Sequence, residues 1–355
     1  MIAYEKAIRA VLDAVRPLPA ETVAAAEADG RVLAGGIRAR LDLPRFDQSA
    51  MDGYAVRLDD VRRAGRTPAT LRLAGEIPAG CARRLPLRAG CTVKVFTGSM
   101  LPRAAEAVVM KEYTVEKGDT VVVARAVRAG DHIRRRGEEL RRGSPLLTAG
   151  TIVTPPVLGL LAANGIARVR VHRQPEVALI GLGDELAAPG APLGPGQIRD
   201  SNGPALAAAL GRLGVARIHR TTVGDDPRAL RRVLAREMRR CEAVITVGGA
   251  SVGDHDHVEA VRAELGVREV FNRVAMKPGK PNVFGVAPGG CFMFGLPGNP
   301  VSALVSYHQF VAPALRRLRG ASTSLDLELK AVLAAPLGKR TDRLAWVRGR
   351  LDFVA

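Results

Sequence analysis

From residue 174 onward the chain alternates short apolar runs with helical stretches, and this rhythm restricts the possible fold more than any other feature. Val177-Ala178-Leu179-Ile180 is apolar without alternation, as a strand covered on both faces requires, and it ends in Gly181-Leu182-Gly183-Asp184-Glu185. A helix is expected from a Ser201-Asn202 cap to Leu213, closed by Gly214, and a second strand over residues 215–219. Asp225-Asp226-Pro227 is a helix start, carrying a helix to Arg240. A third strand over 243–247 runs into Gly248-Gly249-Ala250-Ser251, followed by a helix over 258–265. Residues 292–296 form a later strand, and Asn299-Pro300 opens a helix over 301–318. Such alternation implies a mostly parallel, doubly wound sheet, in which ligands bind beyond the carboxyl ends of the strands. The polar and glycine-rich motifs fall at those ends.

The first 173 residues differ in texture. Ala7, Ile8, Val11, Leu12 and Val15 make a helical stripe. Between Val23 and Arg170, short β-type runs at 71–73, 91–96 and 121–123 alternate with Gly, Pro and Asp turns. Thr154-Pro155-Pro156 through Gly165 reads as one short helix. Residues 321–355 read as strands with alternating charge, too few for a core of their own. The expected organisation is an N-terminal helix (1–22) packing on the α/β domain, a β-rich linker domain (23–45 with 144–173) and an inserted β-rich domain (46–143). The α/β domain itself (174–320) and a truncated C-terminal β domain (321–355) complete it. The fold class is therefore multidomain α/β plus β, a doubly wound α/β domain with β-rich insertions and a short C-terminal β segment.

A net charge of +18 invites an anionic partner. The arginines are scattered, in runs such as Arg134-Arg135-Arg136, Arg231-Arg232 and Arg316-Arg317, and no zinc-finger spacing, basic zipper or aromatic-studded strand accompanies them. No nucleic-acid partner is expected; a phosphate-bearing small molecule needs few of these cations. Cys81, Cys91, Cys241 and Cys291 are dispersed, which fits a reducing cytoplasm. Residues 143–167 and 281–315 lack Asp, Glu, Lys and Arg but are cut by Pro and Gly, so no membrane span is expected. Glu5, Lys6, Arg9 and Asp13 stand where a signal peptide needs an apolar stretch.

Several motifs carry chemistry, each with a plainer structural reading. Ser49-Ala50-Met51-Asp52-Gly53-Tyr54-Ala55 and Phe96-Thr97-Gly98 are either side-chain-capped turns or parts of a site. The acids of Gly183-Asp184-Glu185 hold a divalent metal, position a nucleophile or cap the next turn. In Gly248-Gly249-Ala250-Ser251-Val252-Gly253-Asp254-His255-Asp256 the glycines admit a phosphate or a pterin edge to backbone N–H groups, and the two acids suit a shared cation. His255 and His257 have too few companions for zinc. Met276-Lys277-Pro278-Gly279-Lys280-Pro281 sets two lysines on a stiff loop, an anion site or a solvated basic loop. Leu296-Pro297-Gly298-Asn299-Pro300-Val301-Ser302 gives a strand, a rigid turn and a helix N-terminus whose N–H groups suit an oxyanion.

In their order, these motifs together with Arg134-Arg135-Arg136-Gly137-Glu138 resemble the molybdopterin molybdenumtransferase family, bacterial molybdenum insertases related to the gephyrin E domain, over Tyr4 to Arg350. The resemblance implies molybdate and adenylylated molybdopterin as substrates, Mg2+-dependent hydrolysis of the adenylate with release of AMP, and a homodimer sharing its active site between subunits. It also implies a molybdopterin adenylyltransferase acting upstream. Carried over by position, the catalytic residues are Asp52, Thr97, Glu139, Glu185, Asp225 and Asp256, with Asp225 and Asp256 holding the metal. The substrate-binding residues are Gly248, Gly249, Ser251, Lys277, Lys280, Pro297, Pro300, Ser302 and Arg340. Gly137-Glu138-Glu139 stands where the family has Gly-Glu-Asp, which puts the last carboxylate on a longer arm. The alternative is a non-catalytic molybdopterin-binding or scaffold module of the same fold. The long β-rich insertion argues against the adenylyltransferase itself.

Overall fold

The computed structural model describes the chain except residues 84, 250–256, 327, 337, 339–342 and 353–355. It divides into two compact units, residues 1–36 with 148–355, and residues 37–147.

The first unit is built on six strands: β1 (Glu176–Leu182), β2 (Arg217–Val223), β3 (Ala243–Val247), β4 (Arg268–Phe271), β5 (Val283–Val286) and β6 (Phe292–Leu296), in the order β2-β1-β3-β6-β5-β4. The strands β2, β1, β3 and β6 are parallel, and β5 and β4 continue the sheet antiparallel. The unbroken apolar run of β1 is explained by cover on both faces. Val177 and Leu179 pack with helix α1 (Tyr4–Ala14), helix α2 (Asn202–Arg212) and the helical run Pro300–Leu318, which includes a π-helical turn at Tyr307–Val311. Ala178, Ile180 and Leu182 pack with α3 (Pro227–Arg240) and α4 (His257–Glu264). Each fully buried Leu or Ile contributes roughly 1.5–3 kcal/mol, so both layers are held firmly to the sheet.

Three local readings change. The second strand spans 217–223 rather than 215–219, because it is an edge strand whose outward polar residues mask its pattern. Strands β4 and β5 add a hairpin extension that short, glycine-interrupted runs did not announce. Ser201 makes no capping hydrogen bond; the first turn of α2 is capped instead by Asp200, whose Oδ1 accepts from Gly203 N–H at 2.7 Å. Among the described residues the C-terminal β segment holds one short strand, Leu344–Ala345, pairing parallel to Met276–Lys277. Trp346 follows, donating its backbone N–H to Lys277 O at 2.8 Å and meeting Tyr4 edge-on at 5.5 Å.

The second unit carries its own six-stranded sheet, in the order Ala107–Met110, Gly53–Val56, Cys91–Val95, Ala69–Ile77, Thr120–Val123, Thr114–Lys117. Alternate residues supply two cores: Tyr54, Val56 and Val109 on one face, Ala55, Val93 and Val108 on the other. Its arginine run is tied down by acids. Asp47 accepts from Arg136 N–H at 2.8 Å and from the Arg135 guanidinium at 2.7 Å, and Asp42 accepts from Arg136 Nε at 2.6 Å.

Candidate functional site

In a doubly wound sheet the chain reverses direction between β1 and β3, leaving a crevice beyond their carboxyl ends. A cleft of about 200 Å³ opens there, walled by the ends of β1, β2 and β3, the segment 198–203 and the turn at Gly298 and Pro300.

Glycines make this cleft. Gly248 has φ +94°, and a Cβ on it would come within 2.8 Å of Leu182 O, so the ends of β3 and β1 touch backbone to backbone. Gly298 passes close over Gly248. Gly183 has φ +130°, and the Glu185 carboxylate occupies the space a Cβ there would need. Gly224 likewise makes room for Asp184, whose Oδ1 accepts from Asp225 N–H at 3.2 Å. Glu185 thus folds back over the end of β1 and lines the cleft, while Asp184 caps a turn.

One wall was not foreseen from the sequence. Asp200 is buried and bonds both Gly203 N–H and the Arg220 guanidinium, the latter at 2.8 Å. Asn202 donates its side-chain amide to Gly298 O at 2.7 Å, fixing the start of α2 to the Pro297-Gly298 turn. Asp200, Asn202 and Arg220 all line the cleft. The one signal in sequence was a helix start, whose cap we assigned to Ser201-Asn202 rather than to the acid before it.

The structure brings Glu185, Gly248 and Pro300 together in this cleft; Gly249, Asp225, Lys277, Lys280, Pro297 and Ser302 do not line it. Asp225 is exposed just before the helix start, where Asp226 caps α3 through Arg228 N–H at 2.9 Å. Lys277 and Lys280 are exposed on their loop, and Pro297 is buried. The helix start read as an open oxyanion site is partly filled from within: Asn299 Oδ1 accepts from Val301 N–H at 3.1 Å and Ser302 N–H at 3.3 Å. Ser251, Asp256 and Arg340 lie outside the described residues.

In the second unit Asp52 accepts from both the backbone N–H and the hydroxyl of Thr97, each at 2.9 Å, with Lys111 Nζ at 3.8 Å. The Thr97 backbone and side-chain hydrogen bonds, aided by Lys111, hold the Asp52 carboxyl below the usual range. Glu139 is ion-paired with Arg134. Among the described residues no group of three or more His, Cys, Asp and Glu could hold a metal, and no helix is long and apolar enough to cross a membrane.

Residues 2–165 match the family model described as the MoeA N-terminal region (domain I and II), and residues 178–317 match a probable molybdopterin binding domain. The chain is 40% identical to a Mycobacterium tuberculosis protein, molybdopterin molybdenumtransferase 2, over 96% of this chain and 86% of that one. It is 33% identical to the Staphylococcus aureus molybdopterin molybdenumtransferase, over 100% and 84%. Among solved structures, the molybdopterin biosynthesis MoeA protein of Pyrococcus horikoshii OT3 is similar with a TM-score of 0.77 at 31% identity, covering 91% of this chain and 81% of that one.

Proposed function

The chain belongs to the molybdopterin molybdenumtransferase family, and we propose that the cleft at the β1–β3 reversal is where its substrate is held. Its function is that of the family: a transferase that inserts molybdenum into molybdopterin in molybdenum cofactor biosynthesis. One observation carries the assignment of the site: Glu185, Gly248 and Pro300, far apart in sequence, line a single cleft at the sheet's reversal point.

In this reading the substrate is adenylylated molybdopterin. Glu185 activates or orients the water that cleaves the adenylate, releasing AMP, and is free to do so because Gly183 leaves its carboxylate room. Asp225 and Asp256 serve the same step, Gly248, Gly249 and Ser251 approach the pterin or phosphate, and Lys277, Lys280 and Ser302 attract molybdate, with Arg340 as a further contact. Asp52 and Thr97, with Glu139, belong to the same reaction. Asp225, an exposed carboxylate, together with Asp256 would hold Mg2+, which prefers oxygen donors and takes one or two carboxylates plus substrate phosphate. Bound there, the ion would neutralise phosphate charge. On the same premise we assign the protein to the cytoplasm as a homodimer, downstream of a molybdopterin adenylyltransferase.

The test is reconstitution. Purified protein given adenylylated molybdopterin, molybdate and Mg2+ should yield cofactor that activates an apo-molybdoenzyme, with one AMP released per cofactor formed. Tight molybdopterin binding without turnover would favour the binding-module reading instead. Sedimentation at micromolar concentration should give a dimer.

A further inference from the structure

We infer that Arg220 is the phosphate-binding cation of the cleft and that Asp200 is the residue that aims it. The inference rests on the cleft being the substrate site and deepens that reading by naming the ligand group, a phosphate ester.

Arg220 stands on the edge strand β2 with its side chain 37% exposed, while Asp200 is only 7% exposed. Both Asp200 oxygens are engaged, Oδ1 by Gly203 N–H and Oδ2 by the guanidinium. A guanidinium carries five N–H donors in a planar fork, and among the described residues Arg220 gives hydrogen bonds to Asp200 alone. Arg220 itself lines the cleft. Burying a carboxylate to hold a surface arginine is a poor route to stability, since desolvation offsets the attraction. It is an effective way to fix the orientation of a fork that must meet two oxyanion oxygens at once.

Gly203 supplies a second, independent observation. Glycine in the first turn of a helix is unfavourable. Here a Cβ would fall 2.2 Å from Asp200 Oδ2, 2.6 Å from Arg220 Nε and 2.9 Å from Cζ, so glycine leaves the room in which the Asp200–Arg220 pair meets at the start of α2. Ser201, Asn202 and Thr221 add polar groups around the same space. Arg199 lines it too, its guanidinium donating to Ala191 O at 2.8 Å. Among the described residues that line the cleft, Glu185 is the one carboxylate besides the paired Asp200, against the two cations Arg199 and Arg220. A phosphate group presenting two oxygens to the fork is the ligand these donors fit. Two sources offer it, the phosphate of the pterin and that of the adenylate.

Calorimetric titration of the full chain with AMP, adenosine and molybdopterin separates them, alongside KM and kcat for molybdenum insertion. Arg220→Gln should weaken one of the two phosphate esters about ten- to a hundredfold, leave adenosine unchanged, raise KM in proportion and alter kcat less than about threefold. The ester affected identifies the source. Arg220→Lys should recover part of the affinity, and Gly203→Ala should reproduce the loss with the charge still present. Since Arg220→Gln strands a buried acid, the double variant Asp200→Asn/Arg220→Gln is measured too and should show the same ligand loss in a folded protein. Asp200→Asn alone should raise KM less than Arg220→Gln, as befits a positioning residue. Unchanged binding of both esters by Arg220→Gln would overturn the inference. If Thr221→Trp, which fills the cleft, abolishes turnover while Arg220→Gln does not matter, only the arginine's role falls. If Thr221→Trp is also silent, the cleft is not the substrate site and both readings fall.

Discussion

Asp52-Gly53 in the second unit and Gly183-Asp184-Glu185 in the first look alike in sequence, an acid beside a glycine at a strand boundary, yet the two glycines do different physical work. Gly53 sits mid-sheet, where the Val109 carbonyl occupies the position of a Cβ; it permits two strands to approach. Gly183 sits past the end of a strand, and what fills its missing Cβ is the Glu185 carboxylate. The acids differ accordingly. Asp52 is held by the Thr97 backbone N–H and hydroxyl with Lys111 nearby, whereas Glu185 faces a cleft. An acid whose oxygens are engaged by its own chain is positioned or structural; an acid given space is available for chemistry.

The sharpest break of this comparison comes from Glu185→Gln. It should lower molybdenum insertion by about a hundredfold or more at an unchanged melting temperature, as for loss of a proton-transferring group. A loss of stability with no loss of rate would make Glu185 a structural acid. Lys280→Ala should follow, raising the molybdate requirement about ten- to a hundredfold in reconstitution, with partial rescue by excess molybdate. The glycines then exchange roles: Gly53→Ala should destabilise the protein by roughly 1–3 kcal/mol through overpacking. Gly183→Ala, by contrast, should displace Glu185 and cost activity more than melting temperature. Thermal unfolding and turnover measured on both variants give opposite rankings if the comparison is right.

The smallest effect is in pH. Asp42, Asp47, Asp52 and Glu116 in the second unit all have lowered pKa values: N–H donors hold Asp42 and Asp52 down, Lys94 and Tyr54 do so for Glu116, and for Asp47 burial opposes but Arg136 and Arg135 prevail. A carboxylate depressed on folding stabilises fully above its unfolded pKa, near 4, and that contribution is lost as pH falls through the folded value. Hydrogen exchange below about pH 4 should therefore show residues 37–147 losing protection before β1 and β3. The opposite order would show that these four groups do not govern acid stability.

The sheet was legible because burial on both faces writes itself as uninterrupted apolar residues, and β1, β3 and β6 stand where that pattern put them. Edge elements were less legible. The polar residues of β2 hid its true span, and Arg220 on that strand belongs to no motif. Glu185, Gly248 and Pro300 were found by motif, but Asp200 was not, because the Ser201-Asn202 pair beside it was read as the cap that Asp200 in fact supplies. What sequence could not carry was the meeting of residues 200, 203 and 220, which depends on how α2 is set against the sheet.

The lysine loop has a consequence for the order of folding. Residues 273–277 are bonded on one side by Ile2, through Ile2 N–H to Arg273 O at 2.9 Å and Ala275 N–H to Ile2 O at 2.8 Å, and paired on the other with Leu344 and Ala345. Contacts so distant along the chain carry a loop-closure cost that local contacts do not, and are expected to form later. The parallel core can assemble while this segment is still unanchored, so Lys277 should gain its native setting among the last residues of the unit. Its assembly is then a late kinetic event, gated by segments that the ribosome releases at very different times.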